Sequence, residues 1–152
     1  MLNLLVFVCL LSVLNLGSCE VVKFTDCSAG KGQGELQQLE ITPCPSQPCE
    51  LKKGTEVSVK ATFIPHENVT DAESSVHGKV MGFWVPFPLP NAHACKDSGV
   101  KCPLVAGSKY EYSSTLDIKS AYPAISVVVK WQLQDGKGQD LYCFEVSAKI
   151  VS

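Results

Sequence analysis

Ile125-Ser126-Val127-Val128-Val129-Lys130-Trp131-Gln132-Leu133-Gln134 alternates. Ile125, Val127, Val129, Trp131 and Leu133 are apolar, and Ser126, Lys130, Gln132 and Gln134 between them are polar. A period of two sends one set to a buried face and the other to water, as in a half-buried antiparallel strand. Asp135-Gly136-Lys137-Gly138 follows and reads as a hairpin connection. Beyond it Phe144, Val146, Ala148 and Ile150 alternate with Glu145, Ser147 and Lys149. In the other direction Pro123 breaks the run. Before that break Tyr110, Tyr112, Leu116 and Ile118 share one parity, and Lys109, Glu111, Ser113, Thr115 and Asp117 hold the other. Val57, Val59, Ala61 and Phe63 repeat the pattern against Ser58, Lys60 and Thr62, just after Lys53-Gly54.

No helix pattern and no internal repeat interrupts this series. Around seven short strands in a chain of this size imply an all-β, immunoglobulin-like β-sandwich of two antiparallel sheets. The Cys…Trp…Cys spacing of true immunoglobulin domains is absent, so only the architecture is implied. The 152 residues fit one domain. The net charge is -2 with both signs mixed along the chain. Without a basic block to hold phosphates, nucleic acid is not an expected partner.

Met1 to Cys19 holds no Lys, Arg, Asp or Glu, and an apolar run extends from Leu4 to Leu14. That run is short of the ~20 apolar residues that span a bilayer. Small residues at Gly17 and Cys19 suit a signal peptidase, so residues 1–19 are expected to be a signal peptide and residues 20–152 the mature domain. Leu16-Gly17-Ser18-Cys19 also has the look of a bacterial lipoprotein box, although such leaders begin with basic residues and this one does not. Asn68-Val69-Thr70 is a glycosylation sequon in the polar stretch Pro65 to Ser75, which is expected to be a surface loop.

Six cysteines follow the leader: Cys27, Cys44, Cys49, Cys95, Cys102 and Cys143. An even count behind a signal peptide points to disulfides. Spacing narrows the pairing. Cys44 and Cys49 are close, as are Cys95 and Cys102, and each pair can close a small loop. That leaves Cys27 and Cys143 to tie the two ends of the domain together. The same close pairs, with His93 beside Cys95, raise a zinc site as the alternative. The six residues between Cys95 and Cys102 exceed the usual two to four of such sites. No metal or other cofactor is expected.

The most apolar mature stretch is Val80-Met81-Gly82-Phe83-Trp84-Val85-Pro86-Phe87-Pro88-Leu89-Pro90. Proline cannot donate to a ladder, so its second half is expected at an edge or in a loop. It reads either as a core strand with a covering loop or as an apolar lip at the mouth of a cavity, suited to brief membrane contact. This stretch with His77-Gly78 before it, together with Cys44-Pro45-Ser46-Gln47-Pro48-Cys49, Lys119-Ser120-Ala121-Tyr122-Pro123 and Val128-Val129-Lys130-Trp131-Gln132-Leu133-Gln134-Asp135, resembles the ML lipid-recognition family. The resemblance is to its Niemann-Pick type C2 branch of secreted, lysosomal cholesterol carriers, and it covers the whole mature chain.

The resemblance implies an internal lipid tunnel between the sheets and the pairs Cys27–Cys143, Cys44–Cys49 and Cys95–Cys102. It places Phe87, Ile118 and Tyr122 around a sterol entrance. It places Val57, Val59, Tyr112, Val129, Trp131 and Phe144 on strands lining the tunnel. His77, Phe83 and Trp84 fall where a membrane or receptor is met. Phe144 stands where such carriers commonly have tryptophan, Trp84 where proline is usual, and Lys79 where an apolar residue is usual. The implied partners are a sterol or other lipid, the surface of anionic membranes and a membrane-bound sterol transporter. The implied location is outside the cell or in the endosome and lysosome lumen, and the expected state is a monomer. His77, at the start of the apolar stretch, is the candidate pH-responsive group for an acidic compartment, while His66 and His93 read as surface histidines with no role. Two other readings are a carrier of fatty acids or small hydrophobic signals, and a cavity-free interaction module. Enzyme chemistry is not expected: there is no G-x-S-x-G, H-E-x-x-H or glycine-rich phosphate loop.

Overall fold

The computed structural model describes residues 20–152. The expected leader, residues 1–19, lies outside them. The described residues form nine strands and no helix. In chain order these are β1 (Thr25–Asp26), β2 (Gly34–Thr42), β3 (Cys49–Lys52), β4 (Thr55–Pro65), β5 (Ala72–Val80), β6 (Phe83–Phe87), β7 (Tyr110–Ile118), β8 (Ser126–Asp135) and β9 (Asp140–Val151). A six-stranded sheet runs β1-β9-β8-β5-β6, with β3 also on β9, and a three-stranded sheet runs β2-β4-β7. Their apolar faces meet in one core.

The two-residue period acts as expected in β4, β7, β8 and β9. Val57, Val59, Ala61 and Phe63 are buried, as are Tyr112, Leu116 and Ile118, and Val127, Trp131 and Leu133. The β8–β9 connection is a tight turn in which the Asp135 side chain accepts from the backbone N–H of Lys137 and Gln139. Three disulfides join Cys27–Cys143, Cys44–Cys49 and Cys95–Cys102. The last two take up the four cysteines of the close pairs that had raised the zinc alternative.

Three readings need correction. Nine strands form rather than about seven, the extra ones being short or masked in the sequence pattern. The pairing is not wholly antiparallel, because β3 runs parallel to β9 from Cys49↔Ala148 to Lys52↔Val151. The polar stretch Pro65 to Ser75 is only partly a loop, since β5 begins at Ala72. Glu73 and Ser75 face outward there, while Ala72 and Ser74 pack inward. Asn68 itself is exposed and outside any strand, with its Oδ1 accepting from the Ala106 N–H at 2.9 Å.

Candidate ligand cavity between the sheets

β6 is an edge strand, paired to β5 alone, and it carries Pro86 where a central strand would lose a hydrogen bond. Its register sets Phe83, Val85 and Phe87 opposite Val80, Gly78 and Val76, on the inner face of the large sheet. Trp84 and Pro86 stand opposite Lys79 and His77 on the outer face. Gly78 makes room for the Phe87 ring. A Cβ there would lie 2.3 Å from Phe87 Cε2 and 3.0 Å from Val127 Cγ2. Phe87 in turn meets Tyr122 edge to face, with ring centroids 4.9 Å apart. Burial and the nearby Asp117 carboxylate raise the Tyr122 pKa above its ordinary value. The two rings therefore stand together at one margin of the core. Gly78→Ala is expected to push the Phe87 ring off Tyr122 at a cost of about 1–3 kcal/mol, as overpacking does. Thermal unfolding and ring-current-shifted Phe87 resonances check this; an unchanged Phe87 environment would contradict it.

Behind this pair an apolar cavity lies between the sheets. Val57 and Val59 from β4 face Val129, Trp131 and Phe144 from β8 and β9 across it. All five were expected to line a tunnel. Ile41, Cys49, Leu51, Leu116, Val146 and Ala148 complete the wall and were not singled out from the sequence. Leu116, Val146 and Ala148 carry the right parity and were readable. Ile41 sits on β2 and Cys49 and Leu51 on β3, whose patterns give no such signal. Tyr112 and Ile118 are buried but stand outside this wall, Tyr112 with its ring edge on Trp131 at 6.2 Å. Phe87 and Tyr122 likewise lie beyond it, at the margin.

The cavity volume is only ≈ 30 Å³. Sites for small lipophilic molecules measure roughly 300–1,000 Å³. A narrow apolar seam stands where a tunnel was expected, and an occupant of lipid size would have to part its walls. The roomier depression, ≈ 530 Å³, is elsewhere, on the outer face of the small sheet. Ser58, Lys60, Ser113 and Thr115 floor it and Asn91 and Asp97 wall it, so it is polar and open to water. The seam, walled by hydrocarbon, is the better place to take hydrocarbon out of water.

An aromatic ladder closes the deep side of the seam. Trp131 stacks on Phe144 at 6.2 Å, Phe144 on Tyr142 at 6.0 Å, and Tyr142 meets Phe63 edge-on at 5.2 Å. Burial, and to a lesser degree Tyr112, hold the Tyr142 pKa well above 10.0. The sign follows: below pH ~10 both folded and unfolded states keep this proton, and above it only the unfolded state loses it. Stability is therefore expected to fall by up to ~1.4 kcal/mol per pH unit above pH ~10 on account of this group. Tyr142→Phe should flatten that alkaline limb in denaturant titrations; an unaltered limb would contradict the assignment.

The β5–β6 hairpin turns through Met81 and Gly82, both at positive φ (50° and 85°), the geometry that Gly supplies without strain. Its tip leaves Met81 93% and Phe83 75% exposed. Trp84, expected as a contact residue like Phe83, lies on the other face. Lys130 Nζ sits 4.1 Å and Lys79 Nζ 5.6 Å from its ring centroid. His77 shares that outer face, next to Lys130 in register. Apolar side chains at the tip thus adjoin two ammonium groups. No helix among the described residues is long and apolar enough to cross a membrane.

A family model described as the ML domain matches residues 21–150. The chain belongs to the ML domain family. It is 40% identical over 131 residues to "NPC intracellular cholesterol transporter 2" of Bos taurus, covering 86% of each chain. It is 41% identical over 150 residues to "NPC intracellular cholesterol transporter 2 homolog a" of Drosophila melanogaster, covering 99% of each. Among solved structures, a Niemann-Pick type C2 protein from Japanese carpenter ant superposes with a TM-score of 0.79 at 32% identity, over 86% of this chain and all of that one. ML domain proteins of this kind are lipid-binding carriers rather than enzymes, which agrees with a cavity walled by hydrocarbon.

Proposed function

We propose that this protein is a secreted or lysosomal carrier that encloses a sterol between its sheets and delivers it to membranes or to a membrane-bound transporter. The observation that carries this reading is the hydrocarbon-lined seam, with the Phe87–Tyr122 pair at its margin. Two relatives named for cholesterol transport, each at least 40% identical, support the choice of a sterol. A sterol that hides on the order of 400 Å² of apolar surface gains roughly 10 kcal/mol at ~25 cal/mol per Å². Parting the walls forfeits some of the van der Waals contact between the sheets, so the net affinity is lower. The sheets meet through side chains, which allows this separation without breaking a ladder.

Entry past Phe87 and Tyr122 requires those rings to swing aside. Delivery fits the hairpin tip: Met81 and Phe83 reach the acyl boundary while Lys79 and Lys130 face anionic headgroups. A leader at residues 1–19, oxidised cysteines and a sequon at exposed Asn68 suit passage through the secretory route. The carrier is read as a monomer.

The test is titration of delipidated, oxidised protein with a fluorescent sterol at pH 5 and pH 7. Saturable one-to-one binding is expected, weakened about tenfold or more by Phe87→Ala or Tyr122→Ala, each of which removes a wall of the entrance. Folded protein that binds a fatty acid and no sterol would move the reading to a fatty-acid carrier. Delivery has its own measurement. Flotation with vesicles containing anionic lipid should fall about tenfold or more on Phe83→Asp, since an apolar anchor is replaced by a charge. Lys79→Glu with Lys130→Glu should abolish the dependence of flotation on anionic lipid; vesicle binding indifferent to all three changes would sink the docking assignment.

A further inference from the structure

Val69 and Leu104 form an isolated antiparallel bridge outside the named strands and exchange both backbone hydrogen bonds, at 3.0 and 2.7 Å. Their side chains are buried, at 4% and 0% exposure. Beside such a hydrogen-bonded couple the next two residues face each other more closely, with Cα atoms about 4.5 Å apart, and their side chains stand on the opposite surface. That register sets Asn68 next to Val105, and both are exposed. A side-chain contact agrees with it: Asn68 Oδ1 accepts from Ala106 N–H at 2.9 Å. Because that partner is a donor, the carboxamide oxygen is the atom held against the loop, and Nδ2 is left on the other side.

Asn68-Val69-Thr70 is the only sequon in the sequence. Val105 is 53% exposed and lies far from the exposed apolar group of Met81, Phe83, Trp84 and Val85 on the β5–β6 hairpin. A lone exposed valine is ordinary. One in register with the asparagine of a sequon is a platform for whatever that asparagine carries.

We infer that Asn68 carries an N-linked glycan whose first sugar rests on Val105. This builds on the secretory reading and gives it a modified atom and a place for the sugar. The donor is an oligosaccharide on a polyprenyl pyrophosphate. The Nδ2–C1 bond forms, the C1–O bond to pyrophosphate breaks, the pyrophosphate leaves with the electron pair, and Nδ2 gives one proton to a base. Oδ1 takes no part, so its bond to Ala106 survives the linkage. An N-acetylated sugar offers ring C–H groups and a methyl group to the valine and turns its hydroxyls to water. The site also stands clear of the proposed lipid mouth. Asn68 follows the end of β4, whose first residue pairs with Ile118 near Tyr122, so roughly 35 Å of strand separates them. It precedes β5, whose far end carries the hairpin tip.

The test expresses the full chain through the secretory route of a eukaryotic cell, unaltered and as Thr70→Ala, which destroys the sequon and keeps Asn68 with its hydrogen bond. Peptide N-glycosidase should reduce the mass of the secreted unaltered chain and convert Asn68 to Asp, and should leave Thr70→Ala as it was. The glycosylated protein should melt about 2–5 °C higher than Thr70→Ala, because the sugar hides part of a valine from water. Hydrogen exchange at the Ala106 amide should be slower by about threefold or more. Val105→Ser should erase both differences while leaving the Tm of Thr70→Ala within about 2 °C. Sterol binding and vesicle flotation should be the same with and without the glycan. Secreted protein without a glycan would overturn the inference and leave the secretory reading in place. A glycan that alters neither Tm nor exchange, or whose effects survive Val105→Ser, would overturn its contact with Val105. A chain that never reaches the medium would overturn both readings.

Discussion

Replacing Cys27 and Cys143 together by alanine should lower stability by about 5 kcal/mol and depress Tm by roughly 15–25 °C. The two cysteines are 116 residues apart in sequence, so their bond restricts almost the whole unfolded chain. The same chain-entropy argument gives about 2 kcal/mol for Cys44–Cys49, separated by 5, and about 2.5 for Cys95–Cys102, separated by 7. The long bridge also has a local task. It holds the segment before β2 on β9, where Cys27 N–H donates to the Cys143 carbonyl at 3.0 Å. Two-residue β1 pairs there as well, and Phe24 lies edge-on to Phe144 at 6.3 Å. Without the bond, little else fixes β1, and Phe144, a wall of the seam, loses a neighbour. Thermal unfolding of the three double-alanine variants checks the ranking. Equal losses for all three would show that chain entropy does not govern.

Strand periodicity made the middle and end of the domain legible because β4, β7 and β8 each bury one parity, as β9 does from Phe144 onward, after a start in which Leu141 and Cys143 are buried on the other parity. β2 escaped for a physical reason. Leu36 and Leu39 are three apart, and a register shift between Leu36 and Gln38 absorbs the odd residue, so both contact the core while the alternation is lost. β5 escaped because its inner residues are small or polar, with Ser74 and Gly78 standing where a large apolar residue would announce a strand. Gly78 is small for the sake of the Phe87 ring, which arrives from a strand that pattern alone left undecided. β3 is four residues long and takes its place from a parallel partner distant in sequence. The cavity followed the same division. Val57, Val59, Val129, Trp131 and Phe144 lie on legible strands. Cys49 and Leu51 became wall residues only through the β3–β9 pairing. Nor does parity distinguish a filled core from a seam, because both need the same apolar face.

Trp131→Ala should destabilise the ligand-free protein by about 3–5 kcal/mol, with Tm falling roughly 10–20 °C. Trp131 is 1% exposed, meets Tyr112 edge to face and stacks on Phe144, so its loss removes two ring contacts at once. The lost volume also joins the ≈ 30 Å³ already present and widens the seam. Stability and binding should then separate. A lipid entering the unaltered protein must part packed walls, whereas in the variant part of that cost has been met in the apo state. Saturating sterol is therefore expected to raise Tm by at least as much in Trp131→Ala as in the unaltered protein, where ligand at 100 times Kd stabilises by about 2.7 kcal/mol. Phe63→Ala provides the comparison. Phe63 is fully buried between Tyr110 and Tyr142 and lies outside the wall, so its loss should cost about 3–5 kcal/mol without enlarging the seam. Scanning calorimetry of the three proteins with and without sterol decides the matter. If sterol rescues neither variant, or both alike, the space beside Trp131 is ordinary core and the ligand lies elsewhere.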